Sequence, residues 1–427
     1  MIQLKQCQQK ASDNLTETLA EYLEEDEKAT ILFKAPTGTG KTVVMSQVIE
    51  STINLSKPIC FVWLTIGKGG LEEQSYNSLK ANLTNKVSLW SNEFAGNRSQ
   101  IQQDEVVVAN WELLIGDNRK ANQEGEKYNL NDVINNTKEA SLNIILIIDE
   151  AHRSSKTEKA VELIQKLDPK ITIEVSATPL SKEHDKMIKI TAKQAVKDGL
   201  LKRKVIINNK IHTDTKTNSF TQVMNLTIER HEANKTLYTQ ENRGLPLTII
   251  ALPDGQNKTI KDDVLDYLKA LKATQKNGKV VVWLSEDKTE GYETLNSPES
   301  TVEFVICKQA ISTGWDCPRA CNMAYFRNSD NIVFNTQLFG RILRMPNQSP
   351  FQSDELNYAY VFTDNDEILI DSDEDSEEMI FEENKTRKAN TDIELSSYAI
   401  DKINQEVKFT MRYKEELIKQ FNKHGVV

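Results

Sequence analysis

The chain has 427 residues, 38% hydrophobic and 27% charged, a composition typical of a globular protein. Its length predicts two or three domains, and no apolar run approaches the ~20 residues of a membrane-spanning helix, so we expect no membrane association. The net charge of −10 argues against nonspecific coating of nucleic acid but allows a local basic groove.

The N-terminal segment and the cysteines predict a cytoplasmic protein. The first residues, MIQLKQCQQK, lack the charged and apolar regions of a secretory signal. The cysteines contain no C-x-x-C pair, and no histidine lies near them to complete a zinc site. We therefore expect reduced thiols at all of them: Cys7, Cys60, Cys307, Cys317 and Cys321.

Short runs rich in β-branched residues recur through the first half of the chain. Their length and continuous apolar character predict parallel strands buried on both faces. Helix-compatible polar segments lie between them, so the pattern predicts a doubly wound α/β layer. The predicted strands are 29–35, 59–65, 105–110, 143–149 and 171–177.

The first predicted strand is followed by APTGTGKT (35–42) and then by the helical pattern KTVVMSQVIE. A glycine-rich turn at a helix N-terminus presents backbone N–H groups to a β-phosphate. In such a loop Lys41 would reach the β- and γ-phosphates, and the Thr42 hydroxyl would ligate Mg²⁺. The sequence therefore predicts a P-loop NTPase that binds a nucleoside triphosphate through Thr37, Gly38, Thr39, Gly40, Lys41 and Thr42.

The run IILIIDEAH (144–152) ends in two carboxylates. A buried strand would deliver Asp149 and Glu150 to the edge of the sheet where open α/β sheets bind ligands. We expect Asp149 to hold Mg²⁺ and Glu150 to orient and deprotonate the attacking water.

The periodicity weakens over 181–245, which we interpret as a connecting or accessory region. A second α/β series then begins, with a helix predicted at 260–272 from apolar residues at helical spacing. Strands are predicted at 246–253, 279–285, 301–306, 322–326 and 358–362.

The run QLFGRILRMP (337–346) has the spacing Q-x-x-G-R-x-x-R. On a helix, Gln337, Arg341 and Arg344 would share one face. Paired arginines suit a γ-phosphate, because its transition-state charge needs planar, permanently protonated donors. We therefore expect these three residues to belong to the catalytic site.

The word Asp-Glu-Ala-His resembles the DEAH signature of superfamily-two helicases and translocases, and VSATP (175–179) supplies the Ser-Ala-Thr expected next. The resemblance implies that His152, Ser176 and Thr178 couple the nucleotide site to the nucleic-acid groove.

The run KQAISTGWDCPRA (308–320) most resembles the restriction subunit of type III restriction–modification enzymes, as do 61–75 and 106–114. That likeness implies a coupling role for Thr313 and nucleotide contacts for Gly314 and Asp316. The start LKQCQQKA (4–11) resembles the glutamine motif that reads adenine. Gln8 is the candidate by spacing, with Gln6 and Gln9 as competitors.

The resemblance implies two tandem RecA-like domains that form an ATP-dependent DNA motor, with a modification methyltransferase or a separate nuclease as possible partner. No metal-binding carboxylate set of a nuclease follows the motor, so we expect no DNA cleavage by this chain. The predicted divisions are 1–180 (first RecA-like domain), 181–245 (connection), 246–363 (second domain) and 364–427 (acidic loop and helical extension).

Two other functions remain open from the residues. The general motifs do not separate DNA from RNA, so an RNA-remodelling ATPase is an alternative. A regulatory subunit that binds DNA without unwinding it is another.

In the acidic loop, Ser376 stands where the turn of a calcium loop needs glycine, which disfavours a calcium site.

Overall fold

The structure is a computed structural model. It divides into two compact units, residues 1–386 and 387–427, and the second lies outside the described residues. The residues that the structure describes are 3–25, 27–65, 70–94, 98–114, 130–149, 158–179, 183–207, 219–254, 258–284, 287–289, 294–297, 299–308, 315, 317–327, 332–365 and 381–383.

The first sheet has seven strands in the order β3-β4-β2-β5-β6-β1-β7, and its strand pairs are parallel. Its central strands are buried along nearly their whole length, as expected when helices cover both faces of a parallel sheet. Its strands are β1 (Ala29–Lys34), β2 (Ile59–Thr65), β3 (Val87–Leu89), β4 (Val106–Asn110), β5 (Asn143–Asp149), β6 (Ile171–Ser176) and β7 (Lys186–Lys189).

Helices alternate with these strands along the chain. The longest described one in this half begins the chain and packs on the helix that follows the phosphate loop. The helices are α1 (Gln6–Glu24), α2 (Lys41–Ile53), α3 (Leu71–Asn82), α4 (Trp90–Glu93), α5 (Trp111–Leu114), α6 (Leu130–Glu139), α7 (Glu158–Leu167) and α8 (Ala192–Lys197).

The second sheet also has seven strands, in the order β10-β11-β9-β12-β13-β8-β14, and its pairs are again parallel. Its strands are β8 (Lys204–Ile207), β9 (Leu247–Ala251), β10 (Val280–Trp283), β11 (Phe304–Cys307), β12 (Ala320–Tyr325), β13 (Tyr358–Phe362) and β14 (Phe381–Glu383). Its helices are α9 (Ser219–Gln240), α10 (Lys258–Ala270) and α11 (Ile332–Ile342), with short 3-10 turns at Pro346–Gln348 and Asp354–Asn357.

A continuous hydrophobic cluster joins the two sheets. It contains Ile31 and Phe33 of β1, Leu201 of the connecting chain and Leu338 of α11, all almost completely buried. Separate clusters cover the opposite face of each sheet. The two halves of 1–386 are therefore packed on each other through apolar side chains, which positions α11 near the end of β1.

The predicted fold class is confirmed: the described residues form two α/β layers with parallel sheets and flanking helices. The prediction missed the strands β3, β7, β8 and β14, and the long helix α9. These strands are only three or four residues long, and β7, with the sequence KMIK, buries one side chain, so it carries little apolar signal.

The segment 181–245 does not behave as one connecting region. Its strand β7 joins the first sheet, whereas β8 joins the second and α9 packs against β12 and β13. The four-part division of the chain remains a prediction, and most of its last part lies outside the described residues. None of the described helices is long and apolar enough to cross a membrane.

Candidate nucleotide-binding site

The predicted phosphate loop lies between β1 and α2, at the carboxyl edge of the first sheet. Gly38 and Gly40 have φ angles of 89° and 76°, which favour glycine strongly. The loop is closed by Thr39, whose hydroxyl donates to the Pro36 carbonyl at 2.7 Å. Gly40 is the N-cap of α2, so the free N–H groups of the first helical turn follow the loop directly.

Lys41 and Thr42 are the first two residues of α2, and both are half-buried. The Lys41 ammonium donates to the Ala35 carbonyl at the start of the loop, across a long distance of 3.4 Å. This weak contact keeps the ammonium beside the loop, within the space that phosphate oxygens would enter.

Asp149 is the last residue of β5, two strands away from β1 in the sheet. The register aligns Asp149 with Val175 of β6, and Val175 with Phe33 of β1. Asp149 and the phosphate loop therefore lie at the same edge of the sheet. Glu150 and His152 lie outside the described residues.

Ser176 is the last residue of β6, which lies between β5 and β1, and Thr178 comes two residues later. Both side chains are buried, and the Ser176 hydroxyl accepts a hydrogen bond of 3.1 Å from the Thr178 amide. The Ser176 carbonyl accepts from the Ala35 amide, also at 3.1 Å. These bonds join the Ser-Ala-Thr segment to the first residue of the phosphate loop.

Gln8 contacts the phosphate loop directly. Its side chain is 3% exposed, its Nε2 donates to the Thr39 carbonyl at 2.8 Å, and its Oε1 accepts from the Lys5 amide at 2.8 Å. The competitors Gln6 and Gln9 are exposed, and Gln9 bonds to Asp13 on its own helix. Of the three glutamines, Gln8 is the one that reaches the loop.

Helix α11 of the second sheet lies against the same loop. A Cβ built on Gly340 would lie 3.0 Å from the Thr37 Cβ, and one built on Gly38 would lie 2.6 Å from the Arg344 Cγ. A side chain at Gly38 would therefore displace the Arg344 stem, and one at Gly340 would crowd Thr37. Glycine at Gly340 and Gly38 is what permits this contact.

The arginines of this region converge on one carbonyl. Arg341 is 6% exposed and donates from Nη1 to the Trp315 carbonyl. The Arg344 Nη1 lies 3.4 Å from the same oxygen. Gln337 is buried on α11. Thr313, Gly314 and Asp316, which flank Trp315, lie outside the described residues.

The expectation that Gln337, Arg341 and Arg344 share one helical face is wrong for Arg344. Helix α11 ends at Ile342, and Arg344 pairs with Leu201 in an isolated antiparallel bridge. The chain leaves the helix because Pro346 cannot continue it. Arg344 reaches the loop from this extended segment.

A cleft of about 510 Å³, open to solvent, lies beside this contact. It is lined from the first sheet by Thr37 and Thr178, and from the second by Thr336 and Gly340. The predicted coupling residue Thr178 therefore faces the space between the two halves.

Sequence reasoning missed two residues that organise this region, Asp198 and Lys202. Lys202 is 1% exposed and donates to backbone carbonyls around the end of α11. Asp198 accepts from the Cys7 amide at 2.6 Å. The sequence gives no signal for them, because the run DGLLKRKV (198–205) has the composition of an ordinary charged loop between two elements.

Two parallel sheets of this kind, with a phosphate loop at the edge of the first and a helix of the second against it, define the RecA-like helicase fold. Residues 1–181 match the family model of the type III restriction enzyme, res subunit. The resemblance to the motor of that subunit is thereby confirmed over the first sheet. Comparison with curated proteins gave no match.

Similar solved structures include a fragment assigned as the HsdR subunit of a type I restriction enzyme from Vibrio vulnificus YJ016, with 16% identity and a TM-score of 0.51 over 83% of this chain and 63% of that one. The ATP-dependent type ISP restriction–modification enzyme LlaBIII bound to DNA has 16% identity and a TM-score of 0.51, over 85% of this chain and 27% of that one.

The Mycobacterium smegmatis helicase Lhr bound to ssDNA and AMP-PNP has 12% identity and a TM-score of 0.51, over 83% of this chain and 45% of that one. The chain thus spans less than two thirds of the length of each of these structures. At such identities the likeness establishes the fold alone, that of the RecA-like helicases.

Proposed function

We propose that this protein is an ATP-dependent motor on DNA that couples hydrolysis of ATP to translocation or strand separation. The observation that carries the proposal is the contact of Gly340 and Arg344 of the second sheet with Thr37 and Gly38 of the phosphate loop. A nucleotide bound at such a loop would be enclosed by both halves, so hydrolysis would depend on how they meet.

The chain's own residues fit a Mg²⁺–nucleotide. The positive-φ glycines leave the α2 amides open to phosphate oxygens, and the Thr42 hydroxyl and Asp149 carboxylate lie at one sheet edge, where they would hold the cation. When bound, Mg²⁺ supplies neutralisation of the charge on the phosphates.

In the proposed reaction each residue has one task. Lys41 leaves the Ala35 carbonyl to bind the β- and γ-phosphates, and Glu150 takes the proton of the attacking water. Arg341 and Arg344 stabilise the charge that develops on the transferred group, with Gln337 beside them. Gly314 and Asp316 contact the nucleotide, whereas His152, Ser176, Thr178 and Thr313 link it to the DNA path.

Gln8 selects adenine in this proposal. Its amide is held between the Lys5 amide and the Thr39 carbonyl, so its orientation is fixed by the loop that binds the phosphates. Affinity for the base and the shape of the loop would therefore depend on each other. ATP is the preferred nucleotide on this basis.

DNA is proposed as the track because the matching family model and two of the similar structures belong to restriction systems. A modification subunit, which the type III resemblance implies, remains a prediction. The decisive measurement is steady-state ATP hydrolysis with no nucleic acid, duplex DNA, single-stranded DNA and structured RNA. Stimulation by RNA only would replace the DNA motor by an RNA-remodelling ATPase.

The substitutions Lys41→Ala and Glu150→Gln test the site. In the proposal these groups act on the nucleotide and on water, and Lys41→Ala removes only a long hydrogen bond to the Ala35 carbonyl, so we expect at least about 100-fold loss of turnover with a nearly unchanged melting temperature. Lys57→Ala is the control, because Lys57 is half-exposed and lies 4.0 Å from Glu24, its weak partner. Wild-type turnover in either test variant would refute the assignment.

A further inference from the structure

Lys202 is a fully buried lysine in the chain between α8 and β8. Its ammonium donates to the carbonyls of Ile342 at 2.7 Å, Arg344 at 2.8 Å and Ala320 at 3.4 Å. Burying an ammonium group is costly unless its donors are satisfied. Here the ammonium donates to three backbone carbonyls, so the buried charge holds the main chain at these positions.

Two of these carbonyls, those of Ile342 and Arg344, belong to the segment that carries the arginines, and the third is at the start of β12. The last carbonyls of a helix have no partner within it, and a cation near them also interacts favourably with the helix dipole. The backbone adds two bonds: the Lys202 amide donates to the Leu343 carbonyl at 2.6 Å, and the Met345 amide donates to the Leu200 carbonyl at 3.1 Å. The residues immediately before and after Arg344 are thereby both bonded to the connecting segment.

The same connecting segment is anchored to the nucleotide side. The Asp198 carboxylate accepts from the Cys7 amide at 2.6 Å, at the start of α1. The next residue, Gln8, donates to the Thr39 carbonyl of the loop. Leu201 approaches the loop as well, since a Cβ on Gly38 would lie 3.2 Å from its Cδ2.

We propose that Lys202 is a positioning residue, which holds the end of α11 so that Arg341 and Arg344 lie at the phosphate loop. It acts through these arginines and touches no reacting atom. The segment from Asp198 to Lys202 then links the loop and α1 to the arginines of the second sheet. The proposal rests on the proposed ATPase function of the site.

The protonation of Lys202 gives this role a signature. Burial lowers the pKa of Lys202 to about 8, against the opposing influence of Cys321 and Cys317. Tyr238 and Arg319 interact in turn with Cys321; burial raises the pKa of Tyr238 well above its usual value and lowers the pKa of Arg319.

Above about pH 8 the neutral amine has two N–H donors for three carbonyls, and the charge at the helix end is lost. We therefore expect kcat to fall above this pH while nucleotide affinity changes little. The free energy of unfolding changes in the opposite direction. The unfolded chain keeps the Lys202 proton up to about pH 10.4, whereas the folded chain releases it near pH 8, so the folded state gains stability as the pH rises between these two values. A purely structural role would not separate activity from stability in this way.

The experiment uses the full chain with Lys202→Met, which keeps the side-chain length and removes the donors, and Lys202→Arg, which keeps a permanent charge. Lys197→Met is the matched control, because Lys197 is exposed at the end of α8. We expect Lys202→Met to lower kcat about 10-fold or more, with nucleotide affinity within about 3-fold of wild type. Both Lys202 variants should lack the decline of kcat near pH 8.

Amide hydrogen exchange over residues 338–345 is the second readout, and it does not require activity. We expect faster exchange in Lys202→Met than in wild type and Lys197→Met. A wild-type chain without ATPase activity would refute the proposed function. Unchanged amide exchange in Lys202→Met would separately refute the claim that Lys202 holds the end of α11. A kcat within twofold of wild type, or equal losses of kcat and nucleotide affinity, would also overturn the positioning role.

Discussion

At the scale of single residues, Gly40 shows how the phosphate loop depends on a neighbouring helix. Its φ of 76° favours glycine, and a Cβ there would lie 2.7 Å from the Gln8 Nε2. Gly70, the N-cap of α3, has a similar φ of 72°, but among the described residues no atom lies within 4 Å of a Cβ built there. Substitution of either glycine would therefore cause similar backbone strain, but only a side chain at Gly40 would clash with Gln8.

We expect Gly40→Ala to destabilise the protein more than Gly70→Ala. Both lose about 1 to 2 kcal/mol to left-handed backbone strain, but Gly40→Ala also displaces the Gln8 amide from the Thr39 carbonyl, at about 1 kcal/mol more. Denaturant unfolding measures both. In a Gln8→Ala background the difference between the two variants should shrink, and an undiminished difference would contradict the contact.

At the scale of elements, a buried carboxylate fastens α9 to the second sheet. Glu303, just before β11, lies 3.1 Å from the His231 Nε2 and accepts from the Lys235 and Lys279 ammonium groups at 2.6 and 2.9 Å. Burial alone would raise the pKa of Glu303, but the bonds from His231, Lys235 and Lys279 hold it well below its usual range. The opposite ring nitrogen of His231 lies 2.9 Å from the Thr248 hydroxyl.

The lowered pKa fixes the sign of the pH dependence. The stability that Glu303 contributes is fully present above its unfolded pKa of about 4.3 and is lost as the pH falls below it. We expect Glu303→Gln to cost about 2 to 3 kcal/mol at pH 7 and to flatten the decline of stability between pH 5 and 3. Unfolding free energies measured over this range test the prediction.

The control for this prediction is Asp263→Asn, because Asp263 is exposed on α10 and is not part of the contacts of Glu303. It should leave the pH dependence of unfolding as in wild type. If Glu303→Gln and Asp263→Asn gave the same pH profile, the carboxylate network would not be what fastens α9.

At the scale of the whole molecule, Arg344 is the residue that joins the two sheets at the site. Its stem packs on Gly38, and its guanidinium lies near the Trp315 carbonyl. On the proposed function its charge matters chiefly when hydrolysis begins, since that is when charge develops on the transferred phosphoryl group.

We expect Arg344→Ala to lower kcat about 100-fold or more while nucleotide affinity falls much less. Arg344→Lys separates stem from guanidinium, because it keeps packing on Gly38 but not the planar donors. Arg203→Ala serves as the control, since Arg203 is half-exposed and pairs with Asp354. Equal losses of kcat and affinity in Arg344→Ala would indicate a structural role.

Much of the local architecture could be predicted from the pattern of residues. Continuous apolar runs such as ICFVWLT became buried parallel strands, and the glycine spacing of APTGTGKT matched the positive φ angles found at Gly38 and Gly40. The edge strand β7 was not predictable. It is held by backbone hydrogen bonds to β1, and its mostly polar side chains give no sign of this pairing in the sequence.

The residue pattern was enough to predict the α/β class, and it proposed the phosphate loop and the candidate residues on each half, because strand burial and loop chemistry are local properties of the chain. Tertiary structure decided which glutamine meets the loop, where α11 ends, and that a buried Lys202 holds the chain beyond it. These features depend on contacts between residues more than 30 positions apart, as with Gln8 and Thr39, or 140 apart, as with Lys202 and Ile342. No local pattern records such contacts, since they form only when the two sheets pack together.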